Sequence, residues 1–543
     1  MALTAGRKDT FDYIIVGGGT AGCLLANRLS EDQQTDVLLI EAGGTDNYIW
    51  TKIPVGYLYC IGNPRTDWQF RTRSEKTLNG RSLLYPRGRV LGGSSSINGM
   101  IYMRGQMADY ARWAEATGDL SWTWDQVLPY FKRHEGHHAG ATEHHGAAGP
   151  WRVEKQRLSW SLLEHVIEAA GQIGIPRTDD FNRGDNFGAS YFEVNQRSGI
   201  RCSASTAFLK PAMKRENLTV VTQSQVRRLL FKEGPGDPVC HGVFFERMGV
   251  KEKVFARKEV ILCAGAVGSP QILELSGIGQ KKHLEKLKIP VRLDLPGVGE
   301  NLQDHLQLRM VFKVEGVETL NTLMQRNFGK LRMAFEYLTK RTGPMSMAPS
   351  QLGIFARSND REATPNVQYH VQPLSLDRFG EPLHAFNAFT ASVCNLRPTS
   401  RGHVHIQSRD FKQAPMIAPN YLASAEDRHV AVESLRLTRK LVEQSALADF
   451  KPTEYLPGST LQSDAELVRA AGDIGTTIFH PVGTCRMGRD DETLSVVNTR
   501  LQVRGVGRLR VVDASVMPSI TSGNTCSPTL MIAERAAAMI LGG

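Results

Sequence analysis

The chain runs to 543 residues, 41% hydrophobic and 22% charged, the composition of an ordinary soluble globular protein with length for two or more cores. Its 65 basic and 55 acidic residues leave a formal charge of +10. They are interspersed, and no basic cluster alternates with stacking aromatics, which excludes nucleic acid as a partner and leaves at most a weak attraction to an anionic membrane surface.

No run of about 18 apolar residues could span a bilayer. The eight cysteines show neither a CxxC pair nor metal-ligand spacing, which fits reduced thiols in a cytosol. Met1 to Thr10 lacks the apolar core of a secretory signal, so a cytoplasmic location, at most peripheral to the inner membrane, is expected.

The apolar run Ile14-Ile15-Val16 predicts a strand that opens into Gly17-Gly18-Gly19-Thr20-Ala21-Gly22, and Cys23 to Leu29 continues at helical periodicity. A second strand, Val37-Leu38-Leu39-Ile40, ends in Glu41-Ala42. This is the unit that binds a dinucleotide. Gly17 permits the tight turn, Gly19 lets a pyrophosphate approach the backbone, and Gly22 lets the helix pack on the strand. The helix N-terminus, at Thr20 and Ala21, offers free N–H groups to phosphate. Glu41, 19 residues after Gly22, can accept hydrogen bonds from a ribose diol. The fingerprint alone does not separate NAD from FAD.

Further along, Gly88-Arg89-Val90-Leu91-Gly92-Gly93-Ser94-Ser95-Ser96-Ile97-Asn98-Gly99-Met100 forms a loop rich in donors and poor in bulk, suited to a second approach to phosphate or a flat ring. Five histidines between His134 and His145 sit among Gly and Ala. With Gly and Ala between them they form no fixed helical i, i+4 pair and no companion set of metal-ligand spacing, so a solvent-exposed loop is expected and no metal site. The strand Glu259 to Ala264 leads into a second strand-to-helix turn, Gly265 to Gly279, with Pro270 placed near the helix start. Asn366 to Val371 and Gly402 to Gln407 alternate as strands with one buried face. Glu426 to Gln444 reads as a packing helix.

The C-terminal part carries Phe479-His480-Pro481-Val482-Gly483-Thr484-Cys485-Arg486-Met487-Gly488, then Val511-Val512-Asp513-Ala514-Ser515 and Gly523-Asn524-Thr525-Cys526-Ser527-Pro528-Thr529. Together with the fingerprint and the two internal glycine-rich signatures, these blocks resemble the glucose–methanol–choline family of flavoprotein oxidoreductases over essentially the whole chain, most closely its choline-dehydrogenase-like bacterial alcohol dehydrogenases.

The resemblance implies an α/β fold with a discontinuous Rossmann-like FAD-binding domain (1–155, 200–310 and 470–543). It also implies a substrate domain (156–199 and 311–469) with a mainly antiparallel sheet, usually six-stranded and flanked by helices, to which the strands at 366–371 and 402–407 would belong. It implies that Arg89, Leu91, Gly93, Ser94, Asn98 and Gly99 meet the flavin and diphosphate, and that Val226 offers its backbone to the adenine. Asp513 and Ala514 would bind the diphosphate–ribityl stretch, and Pro528 and Thr529 the pyrimidine end. His480 would be the base that takes the alcohol proton. Asn524 would orient the hydroxyl. Phe479 would lie in the substrate pocket.

Two departures are informative. Some members attach FAD through a histidine just before the asparagine of the first signature; Ile97 stands there, so the FAD is expected to be non-covalent. Choline-specific members carry a pocket glutamate where the similar stretch here has Gln351, which argues against a quaternary ammonium and for an uncharged primary alcohol. Electrons would pass to O2, a quinone or another acceptor. A hydroxynitrile lyase or fatty-acid photodecarboxylase on the same fold, or an NAD-dependent or non-catalytic dinucleotide-binding protein, are the alternatives.

Overall fold

The computed structural model describes residues 8–232, 234, 236–377 and 381–542; Met1 to Arg7 of the segment read for a leader lie outside them. Ile14, Ile15 and Val16 are buried, as an inner strand of a parallel sheet covered by helices must be. Their strand, Thr10–Val16, pairs in parallel with Val37–Ile40 on one side and Val250–Leu262 on the other. Leu218–Val221 extends the sheet past Val37–Ile40, and Leu509–Val511 joins Val250–Leu262. Antiparallel Cys240–Arg247 and Ser224–Phe231 complete seven strands. Helix Thr20–Leu29 packs with the C-terminal helix Cys526–Leu541 beside this sheet. Two glycines of the turn are required by the backbone. A Cβ on Gly17 (φ +108°) would lie 2.5 Å from the Cys263 carbonyl oxygen, and one on Gly22 only 1.9 Å from that of Gly17.

Pro270 is not near the start of its helix but inside it, in Gly265–Leu275. A proline there removes the N–H that would bond the Ala266 carbonyl four residues back. The hydroxyl of Thr484 donates to that carbonyl instead, at 2.7 Å, from the C-terminal block.

A second sheet is antiparallel throughout, in the order Thr453–Leu456, Leu306–Lys313, Ala388–Asn395, Val367–Gln372, Leu352–Ala356, Gly188–Tyr191. Gly475–Thr477 also pairs with Leu306–Lys313, which makes seven strands rather than six. Val367, Tyr369 and Val371 enter a core shared with Val430 and Leu435 of helix Ala425–Val442. Gln368, His370 and Gln372 alternate with them and are buried as well. Here the period of two separates a core from an internal cavity, not a core from water.

Two expectations are corrected. Residues 402–407 do not join this sheet. His403–His405 pairs with Met416–Ala418 in a separate ladder packed on helix Gly265–Leu275, where His405 sits between Glu274 (2.7 Å) and Glu300 (2.9 Å). The five-histidine segment is not a solvent-exposed loop: His134, His137 and His145 are buried, and Glu135–His137 pairs in parallel with Trp151–Val153.

The acidic companions of that segment come mostly from far along the chain. His137 and His138 both reach Glu193, at 2.8 and 2.9 Å, and His145 lies between Glu135 (3.1 Å) and Asp180 (3.0 Å). Burial works against a charge on His145, but the Asp180 and Glu135 carboxylates outweigh it and raise its pKa to about 9. Burial likewise opposes ionisation of Glu135, and Arg104 and His145 together bring it down to about 2.

Two measurements follow from this packing. Thr484→Val leaves the Ala266 carbonyl bare and should cost about 1–3 kcal/mol in urea unfolding at an unchanged m-value, with Thr484→Ser close to the parent. His145 has a pKa raised above its usual 6.5, so its contribution to stability is complete below that value and lost as pH rises through about 9. The fall in melting temperature across that window should be smaller in His145→Gln than in the parent; equal slopes would remove the assignment.

Candidate active site

A cavity of about 320 Å³ lies between the two sheets. One end is built from loop backbone. Gly17, Gly19, Thr20 and Ala21 line it from the first turn and Gly93, Ser94, Asn98 and Gly99 from the second. The two loops meet through glycine, since a Cβ on Gly93 (φ +53°) would lie 2.6 Å from the Gly19 Cα. Helices Thr20–Leu29, Gly265–Leu275 and Cys526–Leu541 begin beside this space, and none has a side-chain cap hydrogen bond. The first N–H groups of the Thr20–Leu29 and Cys526–Leu541 helices are therefore available to an anion, while that of Gly265 is taken by Asp513. Glu41, Ala42 and Val226 line the same end, with Asp513, Ala514 and Thr529.

Glu41 is oriented by the N–H groups of Gly18 (2.8 Å) and Gly43 (2.7 Å), while burial raises its pKa to about 7. Asp513 accepts from Gly265 N (2.9 Å), Ser269 Oγ (2.6 Å) and Ser515 N (2.8 Å). Uncapped helix starts, glycine backbones that touch and two oriented carboxylates suit a dinucleotide with phosphates and ribose hydroxyls.

Other expected contacts stand behind the lining. Gly22 packs the helix on the strand, Leu91 lies against Gly18, and Arg89 covers the Trp68 ring at 4.8 Å. Pro528 is buried in the first turn of the last helix. Gln351 does not line the cavity: its Nε2 donates to the Ala348 carbonyl at 2.5 Å, and the neighbouring Ser350 faces the space instead. Gln351 therefore cannot decide between choline and an uncharged alcohol.

At the other end His480, Asn524 and Phe479 line the cavity together. Phe479 holds φ at +71°, unusual for an aromatic residue, with its N–H on Thr477 Oγ1 at 2.7 Å. His480 is fixed at three points. Its N–H donates to Asp304 Oδ1 at 2.7 Å, Nδ1 lies 3.1 Å from His305 Nδ1, and Nε2 lies 3.1 Å from Asn524 Nδ2.

These contacts set the tautomer. His305 Nε2 faces the Leu396 carbonyl at 3.1 Å, which can only accept, so the His305 proton sits on Nε2. Burial lowers the His305 pKa to about 4 and keeps the ring neutral, so its Nδ1 is an acceptor. The His480 proton must then lie on Nδ1, which leaves Nε2 with a bare lone pair beside the Asn524 amide. Burial, with His305, His370 and Arg87 nearby, holds His480 well below the usual histidine range. Gln368 Nε2 donates to Asn524 Oδ1 at 3.5 Å and turns the amide N–H groups toward His480.

Asp304, His305 and Gln368 were not among the residues expected from sequence. The available signal was the polar run Gln303-Asp304-His305 just before an alternating strand. Among the described residues, two groups bring ligand-type atoms within 4.8 Å of one another: His137, His138 and Glu193, and Glu274, His283 and His405. In both the atoms already bond one another or the backbone.

Two family models described as GMC oxidoreductase match residues 11–307 and 398–533. The chain is 40% identical over 540 residues to an oxygen-dependent choline dehydrogenase of Photobacterium profundum, covering 98% of this chain and 94% of that protein. It is 40% identical over 545 residues to the mitochondrial choline dehydrogenase of Homo sapiens, covering 98% and 90%. Among solved structures it is similar to pyridoxine 4-oxidase from Mesorbium loti (TM-score 0.88, 33% identity, 98% of this chain and 99% of that one). It is also similar to a formate oxidase (TM-score 0.90, 27% identity, 99% of each chain). The chain belongs to the GMC oxidoreductase family.

Proposed function

We propose that this GMC oxidoreductase oxidises a primary alcohol to its aldehyde, with FAD held non-covalently between the two sheets and electrons passed to O2, a quinone or another acceptor. The observation that carries the reading is the bare His480 Nε2 beside the Asn524 amide at the cavity wall. The glycine loops, Asp513 and Ala514 would hold the diphosphate, Glu41 the ribose, Val226 the adenine and Thr529 the pyrimidine edge. Ile97 lines the cavity with a hydrocarbon side chain, which has no nucleophile for a covalent link. FAD, when bound, accepts the hydride released from the alcohol carbon.

The 3.1 Å contact between His480 Nε2 and Asn524 Nδ2 marks where the hydroxyl inserts. The hydroxyl oxygen accepts from the Asn524 amide while its proton goes to Nε2. The amide dipole then faces the oxygen as negative charge develops on it. His305 fixes the ring through Nδ1, so that the proton arrives at Nε2 and nowhere else. With its pKa well below 6.5, His480 stays unprotonated through neutral pH.

The same base would serve a hydroxynitrile lyase or a light-driven decarboxylase, but these leave the flavin oxidised when an alcohol is added without O2. Anaerobic bleaching by a primary alcohol tests the proposal directly. His480→Ala should slow that bleaching by about 10²–10⁴-fold with the flavin retained, because general-base assistance is of that size. Asn524→Ala should cost less and should not add fully to it. In the parent the bleaching rate should stay level as pH falls from about 8 to about 6.5, because burial holds the base well below the usual histidine range. A His480→Ala protein within three-fold of the parent would overturn the mechanism.

For location, no described helix is long and apolar enough to cross a membrane. We propose weak attachment to an anionic lipid surface through helix Gly329–Lys340, where Leu331, Phe335 and Leu338 form one face and are 66–70% exposed. Lys330 and Arg332 lie roughly 100° to either side of Leu331, as one residue per 100° of helix requires. Vesicles rich in phosphatidylglycerol should carry the parent down on sedimentation, and Leu331→Glu/Phe335→Glu should stay in solution with its flavin. Equal sedimentation of the two, or a parent dimer that the variant dissociates, would reject this.

A further inference from the structure

The second sheet turns a row of polar groups toward the cavity, and several of them have no partner among the described residues. Gln307 and Arg309 line the cavity, alternating with Leu306, Leu308 and Met310, which enter the core beneath. Across the ladder Arg309 stands opposite Ser392, and Ser392 opposite His370. In that row Arg309 Nη2, Ser392 Oγ and His370 Nε2 are buried without a hydrogen-bond partner among the described residues.

A desolvated guanidinium is costly unless an anion faces it. Elsewhere the protein meets this requirement: buried Arg104 lies 2.7 Å from Glu135. Arg309 has no ion pair among the described residues, and burial lowers its pKa. Arg201, the other cation acting on Tyr57, donates to Asn98 Oδ1 (2.9 Å) and the Ser95 carbonyl (3.3 Å) but has no carboxylate partner either. Among the described residues the carboxylates lining the cavity are Glu41 and Asp513, both held by backbone N–H groups at the glycine-loop end.

We propose that the alcohol oxidised here carries a carboxylate at the end remote from its hydroxyl, and that Arg309 anchors that carboxylate. This rests on the alcohol-oxidation reading and replaces the uncharged substrate expected from sequence. A planar carboxylate matches the guanidinium fork, and the unpartnered Ser392 hydroxyl and His370 nitrogen border the same spot. Arg309 is four residues along the strand from His305, roughly 13 Å at about 3.3 Å per residue, and its side chain can span part of that. The spacing suits a ring or a short chain between the two functional groups. A quaternary ammonium, by contrast, would meet a cavity lined by the Arg309 and Arg87 guanidiniums, whose carboxylates, Glu41 and Asp513, stand at the other end.

The holoenzyme should be tested with para-carboxybenzyl alcohol, benzyl alcohol and choline in anaerobic flavin bleaching. The expected order of kcat/KM is carboxylated, then uncharged, then choline, with about ten-fold or more between the first two, the scale of one charge-assisted bond. Arg309→Met should erase that preference and leave benzyl alcohol within about three-fold of the parent, and Arg309→Lys should restore part of it. Benzoate, as a carboxylate without a reacting alcohol, should perturb the flavin absorbance of the parent and not of Arg309→Met; Arg309→Gln serves if the Met variant loses flavin. The inference fails if benzyl alcohol equals the carboxylated alcohol, or if Arg309→Met slows both alike. If no alcohol bleaches the flavin, the oxidation reading fails by itself, and the benzoate titration still decides whether Arg309 binds a carboxylate.

Discussion

One buried carboxylate holds the candidate site together. Asp304 accepts from the His480 N–H (2.7 Å), the Thr477 hydroxyl (2.5 Å), the Tyr421 hydroxyl and the His305 N–H (2.9 Å). These donors belong to three stretches of chain that otherwise need not meet: the C-terminal block, the start of the Leu306–Lys313 strand, and the segment leading into helix Ala425–Val442. Burial pushes the Asp304 pKa up, and the Thr477 and Tyr421 hydroxyls and the His480 N–H oppose it. The cost of the buried acid is offset by satisfying four donors at once, and what that secures is the position of a histidine backbone. With the backbone fixed through Asp304 and the ring fixed through His305, His480 has little freedom left.

The cavity exists because two sheets each give up one face to it. In the first sheet the sacrifice is small, since glycines and helix starts supply the surface and a dinucleotide needs nothing bulkier. In the second it is larger. Gln307, Arg309, His370 and Gln372 occupy positions where a plain sandwich would place Val or Ile. The atoms of this face that lack a partner among the described residues oppose folding, and a ligand can supply the missing bonds.

Much of this was legible in the residues themselves. The glycine fingerprint demanded backbone contacts that only glycine allows, and Gly17 and Gly22 show them at 2.5 and 1.9 Å. Local rules failed where long-range partners decide. Pro270 was placed at a helix start because its missing donor costs nothing there, yet Thr484, more than 200 residues away, makes the interior position tolerable. The histidine-rich segment looked exposed because two of its acids, Glu193 and Asp180, are not neighbours in sequence. Gln351 was placed in the pocket by local similarity alone, and the register of the Leu352–Ala356 strand leaves its side chain on Ala348.

The same distinction explains why a substrate is harder to read than a cofactor. A dinucleotide is met by backbone geometry, which leaves a mark in glycine spacing. A small alcohol is met by side chains spaced by twos on strands whose pairing no local pattern reveals. Arg309 and Ser392 lie 83 positions apart and become neighbours through the antiparallel register of their strands; His370 joins them through a third strand. Alternation within the Leu306–Lys313 strand does show that Gln307 and Arg309 share a face, but not whether that face meets water, core or ligand. What points to a ligand is the energetic misfit: a guanidinium nitrogen, a hydroxyl and an imidazole nitrogen side by side and without a partner among the described residues. Consistent local choices specify a fold, and the places where a chain keeps an inconsistent one are where its function is to be sought.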